Sequence, residues 1–99
     1  MNLQIQTVNF DADAKLLDHV RRKISKIETF HDHILSVEVY LKLDNVVHTI
    51  KDKIAEIKVT IPKKSFFVKH ISKSFEESFD MALDAMISQI KRQKTRAYA

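Results

Sequence analysis

The chain has 99 residues, a net charge of +4 from 17 Lys and Arg against 13 Asp and Glu, and neither Gly nor Cys. The absence of Cys excludes disulfides, thiolate zinc sites and thiol nucleophiles, and the absence of Gly excludes the glycine-rich loops that bind phosphates and dinucleotides. Since 44% of the residues are hydrophobic, the composition favours a folded chain over a disordered one, and we expect one folded domain over residues 1–99.

The first residues lack the basic and apolar segments of a secretory signal, and no apolar stretch approaches the ~20 residues of a membrane span. We therefore expect a cytoplasmic protein without a membrane partner.

Alternating apolar and polar residues predict four strands, the first around Leu3 and Ile5 and the others at residues 37–42, 55–61 and 66–72. The mixed segment 44–52 is interpreted as a loop or an irregular strand end. Residues 63–65 are predicted to form the turn before the last strand, although no Gly is available there.

Apolar residues at helical spacing predict two helices. The first covers roughly residues 12–30 after an N-cap at Asp11 or Asp13, and the second runs from a capping box at Ser74 and Glu77 to about Thr95. The fold class is therefore α+β with the order β-α-β-β-β-α. A right-handed first crossover makes the first strand parallel to a neighbour. Because each helix has one apolar stripe, both are expected side by side on one face of a four-stranded mixed sheet.

Helix 1 has an unusually basic polar face. A helical wheel places Lys15, His19, Arg22 and Lys26 almost opposite the apolar stripe. Residues 15–26 contain five Lys or Arg and one Asp, a local charge of +4 that equals the net charge of the whole chain. A solvated helix usually alternates its charges, so this density of one sign favours a polyanionic partner.

Helix 2 has acids in its first half and bases in its last turns. This arrangement complements the helix dipole, which explains it as well as a binding role does. If the helices pack in a parallel sense, however, their basic ends form one patch suited to phosphate backbones. The candidate RNA-binding residues are Lys15, His19, Arg22, Lys23, Lys26, Lys91, Arg92, Lys94 and Arg96.

Other chemistry has little support in the sequence, and we predict no catalytic residue, metal site, cofactor or small-molecule substrate. The His31-Asp32-His33 segment is interpreted as a polar turn after helix 1. The Phe66-Phe67 pair resembles a base-stacking pair, but adjacent strand residues face opposite ways, so at least one belongs to the core and packing is favoured.

The element order and several segments together resemble the ribosome hibernation-promoting factors and ribosome-associated translation inhibitors over nearly the whole chain. The matching segments are residues 20–26, Lys-Ile-Glu (26–28), Glu-Val-Tyr-Leu-Lys (38–42), Val-Thr-Ile-Pro (59–62), Ser-Phe-Asp-Met-Ala-Leu-Asp (78–84) and Gln-Ile-Lys-Arg-Gln (89–93). The resemblance implies a basic helical face that binds between the head and body of the small ribosomal subunit, where mRNA and the A- and P-site tRNAs otherwise lie. It also implies rRNA contacts, a role in stress and no catalysis.

Within this resemblance, the family's basic positions correspond to Lys23, Lys26, Arg92 and Arg96, and His48-Thr49 is similar to a His-Thr pair of some members. Asp80 and Met81 depart from the pattern, which has an aromatic and a small residue there, and they are left out of the predicted site. Ending at Ala99, the chain resembles the short form without the C-terminal dimerisation domain, and a separate ribosome-dimerising factor is a further candidate partner.

The leading hypothesis is therefore a ribosome-bound translation inhibitor. A general double-stranded RNA-binding module is the alternative, since a helix pair on a small sheet can recognise RNA by its shape. A module that binds an acidic protein through helix 1 is the third hypothesis.

Overall fold

The computed structural model describes the backbone of residues 1–47 and 50–98 and the side chains of residues 1–44 and 52–93. It has the predicted order β-α-β-β-β-α. The elements are β1 (Asn2–Val8), α1 (Ala14–Ile24) with a following 3-10 turn (Ser25–Thr29), β2 (Ser36–Val47), β3 (Ile50–Ile61), β4 (Lys64–Ser72) and α2 (Phe75–Tyr98). No helix of these described residues is long and apolar enough to cross a membrane.

The four strands form one mixed sheet in the order β1-β2-β3-β4. β1 pairs with β2 in parallel, with Leu3 opposite Val37, whereas β2–β3 and β3–β4 are antiparallel hairpins. The parallel pair follows from the helical crossover through α1, because two adjacent strands joined by a helix run in the same direction. The predicted fold class, including the parallel first pair, is confirmed.

The β2–β3 hairpin is longer than predicted. Residues 44–47 and 50–52 belong to the strands, with Asp44 opposite Asp52 and a register irregularity between Asn45 and Val47. Of the two interpretations of segment 44–52, the irregular strand end is therefore confirmed for these residues and the loop is not, because pairing across the hairpin outweighs the broken alternation. His48 and Thr49 lie outside the described residues.

The β3–β4 turn begins one position earlier than predicted and is one residue shorter. Ile61 pairs with Lys64, so the loop consists of Pro62 and Lys63 alone, and Ser65 belongs to β4. Lys63 has a φ of 69°, a left-handed conformation that usually favours Gly. Proline followed by a residue with positive φ is the pattern of a type II turn, and here a lysine occupies the second position.

Both helices begin at a capping side chain. The backbone N–H of Leu16 donates to Asp13 Oδ1 at 2.9 Å, which selects Asp13 of the two predicted N-caps. The N–H of Glu77 donates to Ser74 Oγ at 3.1 Å, which is one half of the predicted capping box, whereas the N–H of Ser74 donates to Ser72 Oγ at 3.3 Å. The predicted first helix is α-helical only to Ile24 and continues as the 3-10 turn.

The core lies between the sheet and the two helices, which share one continuous apolar cluster with the inward faces of the strands. Its helical members are Leu16, Val20, Ile24, Ile27, Phe75, Phe79, Ala82, Leu83, Met86 and Ile90. The buried hydroxyl of Ser78 hydrogen bonds with the Lys53 carbonyl and with Ser72 Oγ, which attaches the start of α2 to the sheet. The opposite face of the sheet is not covered by a helix, and Phe67 and Ile71 are exposed on it.

Candidate nucleic-acid interface

The two helices run in the same direction along the sheet. The contacts between the α1 and α2 segments show this, because the residue numbers of both partners rise together. Phe10 stacks on Phe75 with 4.2 Å between ring centroids, His19 hydrogen bonds with Asp80, and Lys91 Nζ lies 4.7 Å from the centroid of the Phe30 ring. A strand precedes each helix, and those strands, β1 and β4, point the same way, so both helices return in the same sense. The end of α1 therefore lies beside the basic end of α2, as the parallel arrangement requires.

Three of the predicted side chains on the α1 side project into solvent. Lys15, Arg22 and Lys26 are all exposed, and the hydroxyl of Ser25 donates to the Arg22 carbonyl near the end of the helix. Arg21, which flanks this row, is 3.8 Å from Asp18 in an exposed pair of little energetic weight. The outer side of α1 is thus a row of solvated cations.

His19 is not on that outer row. Its ring is mostly buried in the seam between the helices, with 18% of the side chain exposed, and its Nε2 is 2.8 Å from Asp80 Oδ1. The ring also packs edge to face on Phe79 at 6.0 Å. The wheel placed His19 almost opposite the apolar stripe, but the residue lies on the flank that α2 covers, and Lys23 occupies the same flank one turn later.

Asp80 is the common partner of these two residues. Lys23 Nζ is 3.1 Å from the same Oδ1 atom that meets His19. Partial burial alone would raise the pKa of Asp80, but the hydrogen bonds and positive charges of His19 and Lys23 outweigh it, and the pKa lies below its ordinary value. An ionised carboxylate therefore sits within the basic surface and holds one of its cations.

Beyond Asp80, the seam opens into a groove of about 290 Å³, which we call the interhelical groove. Its lining residues are Lys23, Lys26, Phe30, Asp80, Leu83, Asp84 and Ile87. Cations come from the first half of the chain, acids from α2, and the three large apolar side chains form the remainder. The groove is therefore amphipathic and mixed in charge, unlike the outer row of α1.

The basic end of α2 divides between two flanks. Lys91 reaches Phe30 on the α1 side, whereas its neighbour Arg92 lines a separate groove with Lys64 of β4. The α2 backbone continues through Lys94 and Arg96, whose side chains lie outside the described residues. The structure thus brings Lys15, Arg22, Lys23, Lys26 and Lys91 to one surface, which we call the two-helix face, and separates Arg92 from it.

The His31-Asp32-His33 segment forms a turn that is held by a local hydrogen bond. His33 N–H donates to His31 Nδ1 at 3.0 Å in the turn after the 3-10 segment. Within the part of the chain that the structure describes, no three His, Cys, Asp or Glu side chains are grouped so that they could hold a metal ion. What this arrangement offers chemically is binding of a polyanion by side-chain cations on two packed helices.

Sequence reasoning missed the place of two acids in this surface. Asp80 was set aside because it departs from the family pattern, yet it organises the seam, and Asp84 lines the groove. The sequence contained part of the information needed to predict this. In a parallel helix pair, an acid on the flank of helix 2 that helix 1 covers meets the basic flank of helix 1. Phe30 could not be placed because its position depends on the 3-10 turn that ends α1.

Comparisons with known proteins agree with this fold. A curated relative, the ribosome hibernation promotion factor of Bacillus subtilis (strain 168), is 30% identical over 98 residues, which are 97% of this chain and 50% of the relative. The chain thus spans about half the length of the curated relative it matches.

Two solved structures are similar. The Thermus thermophilus Protein Y N-terminal domain has a TM-score of 0.80 at 26% identity, covering 93% of this chain and 98% of that one. A ribosomal subunit interface protein from Coxiella burnetii has a TM-score of 0.82 at 17% identity, covering 96% of this chain and 99% of that one, and shows the shared fold. The family model described as Sigma 54 modulation protein / S30EA ribosomal protein matches residues 3–98, and the chain belongs to that family.

Proposed function

We propose that this chain is a ribosome-associated hibernation factor that binds the small subunit through its two-helix face and blocks the mRNA and tRNA positions of the decoding channel. The observation that carries the proposal is the row of exposed cations on α1, Lys15, Arg22 and Lys26, set beside the basic end of a parallel α2. The family and the name of the Bacillus subtilis relative support a ribosomal partner.

Binding by such a surface is electrostatic. Lys and Arg side chains neutralise phosphates and release condensed counterions, so the logarithm of the binding constant falls with the logarithm of salt by about 0.7 to 0.9 per phosphate contact. Arg22 can donate two parallel hydrogen bonds to one phosphate, whereas Lys15 and Lys26 act as point charges. Inhibition then follows from occupying the channel and requires no bond to be made or broken by the protein.

The test neutralises two cations of the two-helix face and compares them with two cations elsewhere. Arg22→Gln with Lys26→Gln is expected to weaken co-sedimentation with small subunits and to lower the salt slope by about 0.7 to 0.9 for each lost contact. The matched control is Lys58→Gln with Lys69→Gln, which removes the same charge from exposed positions on the sheet. All four side chains are exposed, so the melting temperatures should stay close to that of the parent.

Equal weakening by the two double variants would contradict the proposed surface. Competition with excess duplex RNA addresses the other RNA-binding hypothesis: a ribosome-specific factor remains on small subunits, whereas a general double-stranded RNA-binding module is displaced. In vitro translation gives the functional measurement, since the parent should inhibit it and the Arg22 and Lys26 variant should not.

A further inference from the structure

A second groove lies on the flank of α2 that faces away from α1. It is formed by β4 and α2 alone, has a volume of about 300 Å³, and will be called the β4–α2 groove. Its lining residues are Lys64, Ser65, Phe66, Phe67, Gln89, Arg92 and Gln93. This volume is at the lower end of the about 300–1,000 Å³ of ligand sites, which suits a single small group better than a duplex.

The groove contains two cations and no acid. The Lys64 ammonium donates to Gln93 Oε1 at 2.6 Å and lies 5.2 Å from the centroid of the Phe66 ring, so its charge is held at the groove. Arg92, from the other wall, is exposed. A pair of cations on opposite walls, with the amides of Gln89 and Gln93 beside them, is suited to an anion that also offers hydrogen-bonding groups.

The chain segments that meet here are devoid of acids. Residues 57–75 contain five Lys and no Asp or Glu, and residues 85–99 contain four Lys or Arg and no Asp or Glu. The first segment supplies β4, and the second supplies the basic half of α2. By contrast, the interhelical groove includes Asp80 and Asp84. The β4–α2 groove is therefore the more uniformly positive of the two.

Phe67 adds an aromatic surface at the rim of this positive groove, on the helix-free side of the β4 edge. Its side chain is 54% exposed on the edge strand, while its neighbour Phe66 is buried. An exposed ring forfeits the stabilisation of burial, and next to cations it offers what a nucleobase needs, a flat apolar surface on which to stack. Sequence-tolerant binding of single strands combines these two elements, stacking aromatics and a positive groove along the backbone.

We propose that the β4–α2 groove binds single-stranded RNA that crosses the free edge of β4, with one base stacked on Phe67 on the helix-free side of the strand and a neighbouring phosphate held by Lys64 and Arg92 on the helix side. This is a contact separate from the two-helix face, and it does not depend on the ribosome being the target. The edge amides Gln89 and Gln93 would hydrogen bond with the base or the ribose. In this arrangement Arg92, which the sequence grouped with the helical cations, serves the second site.

The first test measures binding of a fluorescently labelled oligouridylate of eight nucleotides by anisotropy. Phe67→Ala is expected to lower the affinity at least about fivefold, the lower end of the effect of removing one stacking partner. Ile71→Ala is the matched control, because Ile71 is exposed to a similar extent on the same face of β4 and lies outside the groove lining. Phe67→Trp should keep the affinity, and its indole, the first in this chain, should be quenched by the oligonucleotide.

The charge arm compares Lys64→Ala with Lys69→Ala, two lysines of β4 of which only Lys64 lines the groove. The proposal expects a larger loss for Lys64→Ala. In a titration of ¹⁵N-labelled protein, the side-chain amides of Gln89 and Gln93 should shift on adding the oligonucleotide, which reports the site without any variant.

Three results would overturn the proposal: equal affinities of the Phe67→Ala and Ile71→Ala variants, equally tight binding of an abasic oligomer, or equally tight binding of polyglutamate. The Arg22→Gln with Lys26→Gln variant separates this proposal from the proposed function. If it loses the small subunit but keeps Phe67-sensitive oligouridylate binding, the groove is an independent site. If small-subunit binding fails for the parent chain as well, the oligouridylate result still stands on its own.

Discussion

At the scale of single residues, Asp80 limits the positive charge that the two-helix face offers to a phosphate. Its Oδ1 atom is 3.1 Å from Lys23 Nζ, so this ammonium is engaged before any RNA arrives. Asp80→Asn should therefore raise the affinity for small subunits, by about fivefold if one unit charge at 4 Å is worth about 1 kcal/mol in water. The measurement is an equilibrium binding curve at low salt.

Asp84→Asn is the matched control, since Asp84 is exposed and lines the same groove. It removes the same charge, but among the described residues the ion pair of Lys23 is with Asp80, so the gain should be smaller. An equal gain would show that only net charge matters, and a loss of affinity for Asp80→Asn would show that Asp80 positions Lys23 for binding.

The same carboxylate links stability to pH. Because its pKa is lower in the folded protein than its ordinary value, Asp80 stabilises the fold above the ordinary value, and this stabilisation is lost as the pH falls through the lowered pKa. The pair is partly exposed, so Asp80→Asn should reduce the free energy of unfolding by less than about 1 kcal/mol near neutrality. Urea titrations of parent and variant should converge as the pH falls below the lowered pKa of Asp80; a constant difference at every pH would contradict the linkage.

At the scale of elements, the β3–β4 turn contains a strained residue. Lys63 has a φ of 69° in a chain that has no Gly at all. Glycine removes the steric cost of the left-handed conformation in the folded protein, and it also adds conformational entropy to the unfolded chain. The first free-energy change is the larger, so Lys63→Gly should raise the free energy of unfolding by about 0.5–1 kcal/mol. Lys63→Ala removes the same charge but keeps Cβ, and it should bring no such gain in urea unfolding. Equal effects of the two substitutions would attribute any change to the lost charge.

How far the sequence predicts an element depends on whether its signal is local. The caps at Asp13 and Ser74 were readable because they involve residues three positions apart. The sequence left a loop and an irregular strand end open for segment 44–52, because residues 44–47 are held by partners across the hairpin. The orientation of His19 was misjudged for a similar reason: the wheel defines angles around α1, but α2 decides which flank is covered. The fold class and the exposure of Lys15, Arg22 and Lys26 were therefore predictable, and the contacts in the seam between the two helices were not.

At the scale of the whole molecule, the topology places positive and negative side chains on different surfaces. The net charge of +4 averages an outer row of cations on α1, the acid-free stretches 57–75 and 85–99, and acids that α2 places in the seam. The parallel helices result from β1 and β4 pointing the same way, so the fold itself sets the basic end of α2 beside the end of α1. A modest net charge is thus compatible with a row of cations on the outer side of α1 and with a β4–α2 groove lined by cations and no acid.

Two such surfaces predict additive effects on ribosome binding if both contact rRNA. Arg22→Gln with Lys26→Gln changes the two-helix face, and Lys64→Gln changes the β4–α2 groove on the other flank of α2. Distant sites without shared partners act independently, so the combined variant should show a salt slope reduced by the sum of the two separate reductions. Small-subunit affinities of the parent and the three variants across a salt series give the measurement. If Lys64→Gln leaves the salt slope of small-subunit binding unchanged while oligouridylate binding is lost, the groove does not contact the rRNA that the two-helix face binds. It then binds a different RNA.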